Sequence, residues 1–228
     1  YEFKYLLTRD QQARLLATAG EDLRPDVYSH SSIRNLYLDT PDFRLIRRSL
    51  EKPVYKEKLR LRSYGRTERD SPVFMELKKK YRSIVYKRRL TLPYDRALDC
   101  LTGACPWPET QIGGEIRYTV DFYPDLESRV FLAYERDSWL APESGLRITF
   151  DDAIRFRTEE LTLDSDPWGT ALLGPDQVLM ELKAPGAIPL WMVRLLTEMR
   201  LYKTSFSKYG TAYQLLLERE WKGGKRYA

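Results

Sequence analysis

The sequence predicts an α+β fold built on a mostly antiparallel β-sheet of about eight strands. The first observation is a repeated alternation of polar and apolar residues with period two, which is typical of strands because successive side chains point to opposite faces. The second is that few helical segments separate these strands, which favours antiparallel pairing. The third is the length of 228 residues, which suits one large domain, so we predict a single domain over residues 1–228.

Eight segments carry the strand pattern. In residues 56–64, basic side chains share one face and leucines share the other. Residues 179–183, Leu-Met-Glu-Leu-Lys, repeat the Phe-Met-Glu-Leu-Lys pattern of residues 74–78, and the polar segment 65–72 is predicted to be a turn. The predicted strands cover residues 1–7, 33–39, 56–64, 73–80, 83–92, 129–140, 146–157 and 178–184.

The helices are predicted from their terminal residues. Thr8 is expected to cap a helix that ends before Gly20. Thr40 and Pro41 are expected at the N-cap and the first position of a second helix. Residues 115–123 fit a helix or an extended segment equally, and residues 102–114 are predicted to be a loop. The predicted helices cover residues 8–19, 40–50, 95–101, 189–201 and 207–221.

Positive charge is concentrated in residues 56–89. This stretch holds 13 Lys or Arg and 4 Asp or Glu, a charge of +9, whereas the whole chain carries +5. On a half-exposed sheet these cations would simply be solvated or weakly paired. If the sheet closes, the same face points inward, and burying each unpaired charge would cost several kcal/mol. A closed barrel lined in this way must therefore hold water, and it would bind polyanions.

Other classes of function are disfavoured by the residue types present. A nucleic-acid platform would interleave aromatic side chains with cations on one face, which the basic strands do not do. His30 is the single histidine and is predicted to lie in a loop, so neither a zinc site nor a Ser/His/Asp site is expected. No apolar run of about 18 residues occurs, so this chain is not expected to span a membrane. A reduced, cytoplasmic setting is expected, with a Cys100–Cys105 disulfide as the alternative.

The carboxylates among the cations allow two interpretations. Glu76 and Glu181, each taken alone, would more often neutralise a neighbouring Lys or Arg. Alternatively, Glu181 or Glu2 would suit a metal site, because Mg²⁺ is typically held by one or two carboxylates together with substrate phosphates. Phosphoryl transfer requires no further catalytic group, since positioning, cations and a metal supply most of the catalysis.

Nine short motifs resemble those of the VTC domain, the catalytic domain of vacuolar transporter chaperone polyphosphate polymerases. Each motif alone is weak, whereas their order and spacing over essentially the whole chain are specific. The chain looks like a bacterial, stand-alone version of this domain. The motifs are Glu2-Phe-Lys-Tyr, Tyr37-Leu-Asp-Thr, Lys58-Leu-Arg-Leu-Arg-Ser-Tyr-Gly, Phe74-Met-Glu-Leu-Lys, Lys87-Arg-Arg, Tyr134-Glu-Arg, Leu146-Arg, Glu181-Leu-Lys and Phe206-Ser-Lys-Tyr.

The resemblance implies a triphosphate-tunnel fold, an antiparallel eight-stranded barrel with a bore lined by Arg and Lys and with peripheral helices. It implies transfer of the γ-phosphate of ATP to a growing polyphosphate chain in the presence of Mn²⁺ or Mg²⁺, with release of ADP. The expected ligands are ATP and polyphosphate, not nucleic acid, and a membrane or regulatory partner protein is compatible with the sequence. A tunnel-type triphosphatase or polyphosphatase and a non-catalytic polyphosphate-binding module are the alternatives.

The same motifs imply three groups of site residues, and the alternation of the basic strands independently selects several of their cations. The catalytic residues are expected to be Arg60, Arg62, Lys78, Arg136 and Arg147. Phosphate contacts are expected from Lys4, Lys58, Lys87, Arg89, Tyr134, Lys183, Ser207 and Lys208. The metal ligands are expected to be Glu181 and Glu2. The chain departs from the wider superfamily in two places: a single glutamate precedes Lys4 where two are frequent, and Ser205 stands where some members offer a cation.

Overall fold

The structure is a computed structural model that describes residues 1–82 and 84–222, with the backbone alone for residues 220 and 222. It confirms the α+β class, since a large antiparallel sheet is combined with helices. The strands are β1 (Glu2–Thr8), β2 (Arg24–Asp39), β3 (Tyr55–Tyr64), β4 (Pro72–Tyr81), β5 (Ile84–Pro93), β6 (Glu127–Ala141), β7 (Leu146–Arg157), β8 (Thr170–Ala171), β9 (Gln177–Lys183) and β10 (Lys203–Thr204). The helices are α1 (Arg9–Ala19), α2 (Arg44–Leu50), α3 (Tyr94–Thr102), α4 (Gln111–Phe122), α5 (Leu190–Glu198) and α6 (Lys208–Lys222).

The sheet has ten strands where the sequence predicted eight. All eight predicted strands are found, as β1 to β7 and β9. Strand β7 has the predicted bounds, the others are shifted, and Ser83, predicted to begin β5, lies outside the described residues. The two additional strands, β8 and β10, have two residues each, which is too short to show an alternation. The strand order is β10-β1-β9-β7-β6-β2-β3-β4-β5, with β8 beside β7, and it is open. The predicted closure of eight strands into a barrel is therefore not confirmed.

The chain divides into two compact units. Four strands, β2, β6, β7 and β8, contribute residues to both units. The prediction of a single domain over residues 1–228 stays a prediction. Unit 1 comprises Tyr1–Ser32, Tyr134–Ile154 and Ala171–Ser207, and unit 2 comprises Ile33–Ala133, Arg155–Thr170 and Lys208–Ala228.

In unit 1 the strands β10, β1, β9 and β7 pair in antiparallel order. One face of this sheet is apolar: Ile148 and Phe150 of β7 and Met180 of β9 pack with residues of α1 and α5 in a buried core. Since side chains alternate between faces, the intervening residues form a polar face. There Glu181 lies opposite both Lys4 on β1 and Thr149 on β7.

In unit 2 the strands β2, β3, β4 and β5 pair in antiparallel order. Leu59 of β3 lies opposite Leu77 of β4, and Leu61 lies opposite Met75, all four fully buried. This apolar face packs on α3 and α4. The predicted alternation of residues 56–64 is confirmed, and it places the basic side chains of these strands together on the opposite face.

Two helix starts follow the capping rules. The Thr8 hydroxyl accepts a hydrogen bond from the Gln11 backbone N–H at 3.1 Å, and the Gln11 side chain accepts one from the Thr8 N–H at 2.9 Å. Residues 115–123, which fitted either a helix or an extended segment, lie mostly in α4, where Thr110 accepts from the Gly113 N–H at 3.0 Å. Within residues 1–82 and 84–222, no helix is long and apolar enough to cross a membrane.

Helix α2 begins at Arg44, so the predicted N-cap at Thr40 is wrong. Phe43, directly before the helix, has a φ of 58°, an uncommon left-handed conformation for a bulky residue. The buried Asp39 carboxylate accepts hydrogen bonds from the Leu45 N–H at 2.8 Å and from the next N–H at 3.0 Å. Because this carboxylate satisfies the first-turn donors, the helix starts where they come within its reach.

Candidate active site

Five charged side chains gather on the basic face of unit 2, and we call them the Glu76 cluster. In the sheet register, Glu76 on β4 lies between Arg60 on β3 and Arg89 on β5. Its carboxylate accepts hydrogen bonds from Arg60 at 2.7 and 2.9 Å and from Arg89 at 2.5 and 2.8 Å. The Lys87 ammonium is 2.7 Å from the carboxylate, and Arg62 Nε is 3.8 Å away. Four residues predicted to bind phosphate or catalyse its transfer thus meet at one carboxylate.

The Glu76 cluster is strongly positive, because four cations and one carboxylate leave a net charge of +3. The Glu76 side chain is 2% exposed. Burial raises the pKa of the Glu76 carboxyl, but the charges of Arg60, Arg62 and Lys87 outweigh burial and hold this pKa well below its usual value. Glu76 is therefore ionised at neutral pH, and the excess positive charge would attract an anion.

Two uncharged side chains of β2 hold the arginines of this cluster. The Tyr37 hydroxyl accepts a hydrogen bond from Arg60 at 2.9 Å, and the Asn35 side-chain oxygen accepts one from Arg62 at 2.9 Å. The Tyr37 ring stacks on Tyr209 of α6, with the ring centroids 4.3 Å apart. Sequence reasoning missed Asn35 and Tyr37 as site residues. The available signal was their position, since both alternate with leucines in a predicted strand next to the basic strands.

Tyr37 is expected to titrate at an unusually low pH. Burial raises its pKa, but the charges of Arg60, Lys58 and Arg62 outweigh burial and lower the pKa to about 8. Because this value lies below the ordinary 10.0, the folded state should gain stability as the pH rises from about 8 to 10. The near-ultraviolet absorbance of tyrosinate, followed against pH, would show this step.

A Tyr37→Phe protein is the matched control for this titration. It should lack the step near pH 8, and a variant that retains the step would contradict the assignment to Tyr37. Added tripolyphosphate should move the wild-type step to higher pH, because a bound polyanion opposes ionisation of the Tyr37 hydroxyl beside Arg60.

The remaining predicted cations of unit 2 lie next to the Glu76 cluster in the sheet or at a helix terminus. Lys78 on β4 lies opposite both Lys58 on β3 and Lys87 on β5, so the row of cations continues along the strands. The Lys58 ammonium is 5.9 Å from the centroid of the Tyr209 ring. Lys208 is the first residue of α6, where the helix dipole and backbone N–H groups stabilise an anion.

A second charged group lies on the polar face of unit 1, and we call Glu2, Lys4, Arg136, Asp151 and Glu181 the Glu181 cluster. Lys4 Nζ is 3.2 Å from Glu181 and 3.9 Å from Glu2. Arg136 donates to the fully buried Asp151 at 2.5 and 2.7 Å and lies 3.8 Å from Glu181. Three carboxylates and two cations leave these five side chains at −1, and the neighbouring Lys183, whose charge interacts with Glu181, Glu2 and Asp151, offsets this charge.

The Glu181 cluster offers the donors that a hard divalent cation uses. Mg²⁺ and Mn²⁺ take oxygen ligands, and one or two carboxylates suffice when phosphates complete the shell. Glu2 and Glu181 both flank Lys4, and the buried Thr149 hydroxyl, opposite Glu181, has no hydrogen-bond partner among the described residues. Across residues 1–82 and 84–222, no group of three or more His, Cys, Asp or Glu is placed to hold a metal by itself. The donors therefore fit a metal that is shared with a phosphate substrate.

The other predicted residues of unit 1 differ in their neighbours and in their exposure. Lys183 lies opposite both Glu2 and Arg147 in the sheet register. Arg147 is 53% exposed and donates to Asp26 at 2.7 Å, so it forms a surface ion pair. The Arg136 guanidinium lies 5.3 Å from the centroid of the Tyr134 ring. Ser207 is half-buried and ends unit 1.

Two further expectations concern residues outside these clusters. His30 lies in strand β2, so its predicted loop position is wrong, and it contacts Asp137 at 2.8 Å and Glu135 at 3.2 Å. Cys100 and Cys105 are free cysteines whose Sγ atoms are 3.1 Å apart, and the reduced, cytoplasmic setting stays a prediction. Burial raises the pKa of the Cys100 thiol to about 11, so it is a poor nucleophile at neutral pH.

The predicted site residues thus fall into two sets, one in each unit. That both sets serve one active site stays a prediction, as do their individual roles. Unit 2 holds Lys58, Arg60, Arg62, Lys78, Lys87, Arg89 and Lys208, and unit 1 holds Glu2, Lys4, Tyr134, Arg136, Arg147, Glu181, Lys183 and Ser207.

Comparison with known proteins gives one family and several solved structures of similar fold. The profile of the VTC domain matches residues 1–217. A proposed adenylate cyclase from Bacillus halodurans is similar, with 15% identity and a TM-score of 0.57, over 90% of this chain and 92% of that one. A proposed adenylate cyclase from Vibrio parahaemolyticus has 12% identity and a TM-score of 0.52, over 93% and 97%. At such low identity these likenesses show a shared fold alone. No curated protein matches the sequence.

Proposed function

The chain belongs to the VTC domain family, and on that premise we propose that it is an ATP-dependent, metal-requiring polyphosphate polymerase. Membership of the family indicates an enzyme that acts on triphosphate or polyphosphate, and the polymerase is the specific form we propose. In this proposal the basic faces of the strands bind the phosphates, and the protein works in the cytoplasm.

The observation that carries the proposal is the Glu76 cluster. Arg60, Arg62, Lys87 and Arg89 converge on one carboxylate, and Lys78 continues the row on β4. These cations occupy neighbouring positions on three adjacent antiparallel strands, so together they suit a polymer with a negative charge on every unit. A single small anion would leave much of the array unused, so the arrangement favours a chain of phosphates.

The proposed reaction needs no nucleophile from the protein. A terminal oxygen of the polyphosphate chain forms a bond to the γ-phosphorus of ATP, while the bond from that phosphorus to the bridging oxygen breaks and ADP leaves with the electron pair. Arg60, Arg62 and Lys78 would neutralise the transferring group, and Arg136 and Arg147 would contribute from unit 1. Because negative charge is spread over the phosphoryl oxygens in the transition state, fixed cations lower the barrier.

The remaining predicted residues would hold the substrates. Lys4, Lys183 and the hydroxyls of Tyr134 and Ser207 would bind phosphate oxygens. Glu181 and Glu2 would hold Mn²⁺ or Mg²⁺, which would neutralise negative charge on the substrate phosphates. In unit 2 the same phosphate-binding role is assigned to Lys58, Lys87, Arg89 and Lys208.

A gel assay for long polyphosphate tests the proposal directly. The pure protein is incubated with ATP and Mn²⁺, beside a Glu181→Gln variant. We expect a ladder that lengthens with time for the wild type and none for Glu181→Gln, because the variant loses a charged metal ligand. A Glu135→Gln variant is the matched control, since Glu135 bonds to Ser32 at 2.6 Å and lies outside the Glu181 cluster. It should make the ladder at the wild-type rate.

Two other outcomes would replace the polymerase with the alternatives. Release of phosphate from added tripolyphosphate without chain growth would identify a hydrolase on the same fold. Tight binding of polyphosphate with neither product would identify a binding module, whose affinity should fall steeply with salt because it rests on ion pairs.

A further inference from the structure

Strands β4 and β5 end in a tight turn, and we call Tyr81, Arg82, Ile84, Val85 and Tyr86 the hairpin tip. Ile84 and Val85 are 57% and 50% exposed, and Tyr81 and Tyr86 are 44% and 43% exposed. Farther along β4 the core-facing apolar side chains are fully buried. Contiguous exposed apolar groups of this kind mark interaction sites on soluble proteins.

The exposed apolar groups lie on both faces of the hairpin. Ile84 pairs with Tyr81, and Val85 pairs with Lys80. Since neighbouring residues of a strand point to opposite faces, Ile84 and Val85 each carry an aliphatic group to a different side. Neither is covered by the rest of unit 2, because both stay at least half exposed. The end of the hairpin therefore presents apolar surface on both of its faces.

Positive charge surrounds this apolar end. Residues 78–86 hold four Lys or Arg and no Asp or Glu. On the neighbouring strand β3, the pKa of Lys56 is lowered mainly by burial, and further by the charges of Lys80, Lys52 and Lys78. Like charges are therefore close together at this end of the hairpin. Crowded cations repel one another, and an anionic partner would relieve that repulsion.

Arg82 adds a cation at the turn at a conformational cost. Its φ is 45°, a left-handed conformation that Gly adopts with little strain and a long side chain does not. The Arg82 guanidinium lies 5.3 Å from the centroid of the Tyr81 ring, where cation and aromatic ring share one surface. A turn chosen for stability alone would carry Gly or Asn at this position.

The exposed aliphatic side chains and the cations around them together indicate the chemistry of the partner. Polyphosphate would account for the cations, but it has no apolar surface to cover Ile84 and Val85. Aliphatic groups that project beyond a ring of Tyr, Lys and Arg are typical of proteins that insert into the headgroup region of an anionic bilayer. We propose that the hairpin tip docks peripherally on a bilayer surface that contains anionic lipid. This inference does not depend on the proposed polymerase reaction.

Flotation of the intact protein with vesicles tests the inference. We expect binding to vesicles of phosphatidylcholine with phosphatidylglycerol, and little binding to phosphatidylcholine alone. An Ile84→Ser/Val85→Ser variant should bind the anionic vesicles at least about tenfold more weakly, because the aliphatic groups no longer insert. Val27→Ser/Leu190→Ser is the matched control, since these aliphatic residues are 88% and 72% exposed in unit 1. The control should bind as the wild type does.

An Arg82→Gly variant separates binding from stability. It should unfold at the wild-type temperature or above, because Gly relieves the left-handed strain, and yet bind anionic vesicles about fivefold more weakly for the lost cation. Absence of binding to anionic vesicles would overturn the inference. So would binding that persists in Ile84→Ser/Val85→Ser and is displaced by polyphosphate, since the vesicles would then only imitate a polyanion on the basic face.

Discussion

An Arg60→Ala protein should make no detectable polyphosphate from ATP and yet remain folded. Arg60 donates twice to Glu76 and once to Tyr37, so its guanidinium is fixed on the basic face. Removal of one fixed charge from a phosphoryl-transfer site costs about 10²–10³ in rate. The fold should survive because Arg89 and Lys87 remain on the Glu76 carboxylate. The measurements are the initial rate of chain growth and the unfolding temperature of both proteins.

Arg88→Ala is the control for this prediction, because it removes the same charge from the opposite face. Arg88 lies opposite the buried Leu77 in the register and pairs with Glu115 at 2.9 Å. Its rate should stay close to that of the wild type. An active Arg60→Ala enzyme would refute the site. An equal loss in Arg88→Ala would show that overall charge, and not position on the basic face, determines the rate.

Glu76→Gln should destabilise unit 2 by about 3 kcal/mol, the lower end of the cost of removing one partner from a buried ion pair. The amide keeps the shape of the side chain but leaves four cations without their counter-charge. The lower end is expected because Lys87 and Arg89 are 46% and 37% exposed, so water screens their repulsion. Urea denaturation of the two proteins at neutral pH measures the difference.

Glu115→Gln provides the comparison for a partly exposed pair in the same unit. Glu115 pairs with Arg88 at 2.9 Å, and both side chains are about one-quarter to one-third exposed. Its loss should cost less than about 1 kcal/mol. Tripolyphosphate should stabilise Glu76→Gln more than it stabilises the wild type, because the added anion replaces the missing carboxylate. Equal destabilisation by the two substitutions would contradict a central role for Glu76.

The pH dependence of stability gives an independent check on Glu76. Its pKa in the folded protein lies below the ordinary 4.5, so its contribution to stability is present above pH 4.5 and is lost as the pH falls below that value. The difference in stability between the wild type and Glu76→Gln should therefore shrink in acid. A difference that is constant from neutral pH to acid would show that the carboxylate charge is not what stabilises the cluster.

The fold was predictable from the sequence wherever alternation persisted for seven or more residues. Residues 56–64 show this best, because every second side chain must be buried when one face of a sheet packs on helices. The strands β8 and β10, of two residues each, leave no periodic signal. Strand β2 begins at Arg24, earlier than predicted. This early start was not predictable because residues 24–32 are mostly exposed and lack an apolar face.

The site was predictable in its cations but not in what holds them. Alternation and the family motifs both select Arg60 and Arg62, since a strand face is a local property. The partners Tyr37 and Asn35 depend on which strands pair and in what register, and that is decided by tertiary packing. The shared role of Glu76 was open for the same reason: the sequence shows a glutamate between cations, but not four of them on one carboxylate.

In the Glu76 cluster, the Glu76 carboxylate would compete with any bound anion for the same four cations. Any anion that binds there must displace or share cations that a fixed carboxylate already holds. A free orthophosphate gains little from such an exchange, because it replaces one small anion with another and loses its own freedom. A long chain would also reach Lys58 and Lys78, which lie opposite each other on β3 and β4, so each added unit would enlarge its advantage. Discrimination by length can therefore arise at the binding step, without any residue that measures the end of a chain.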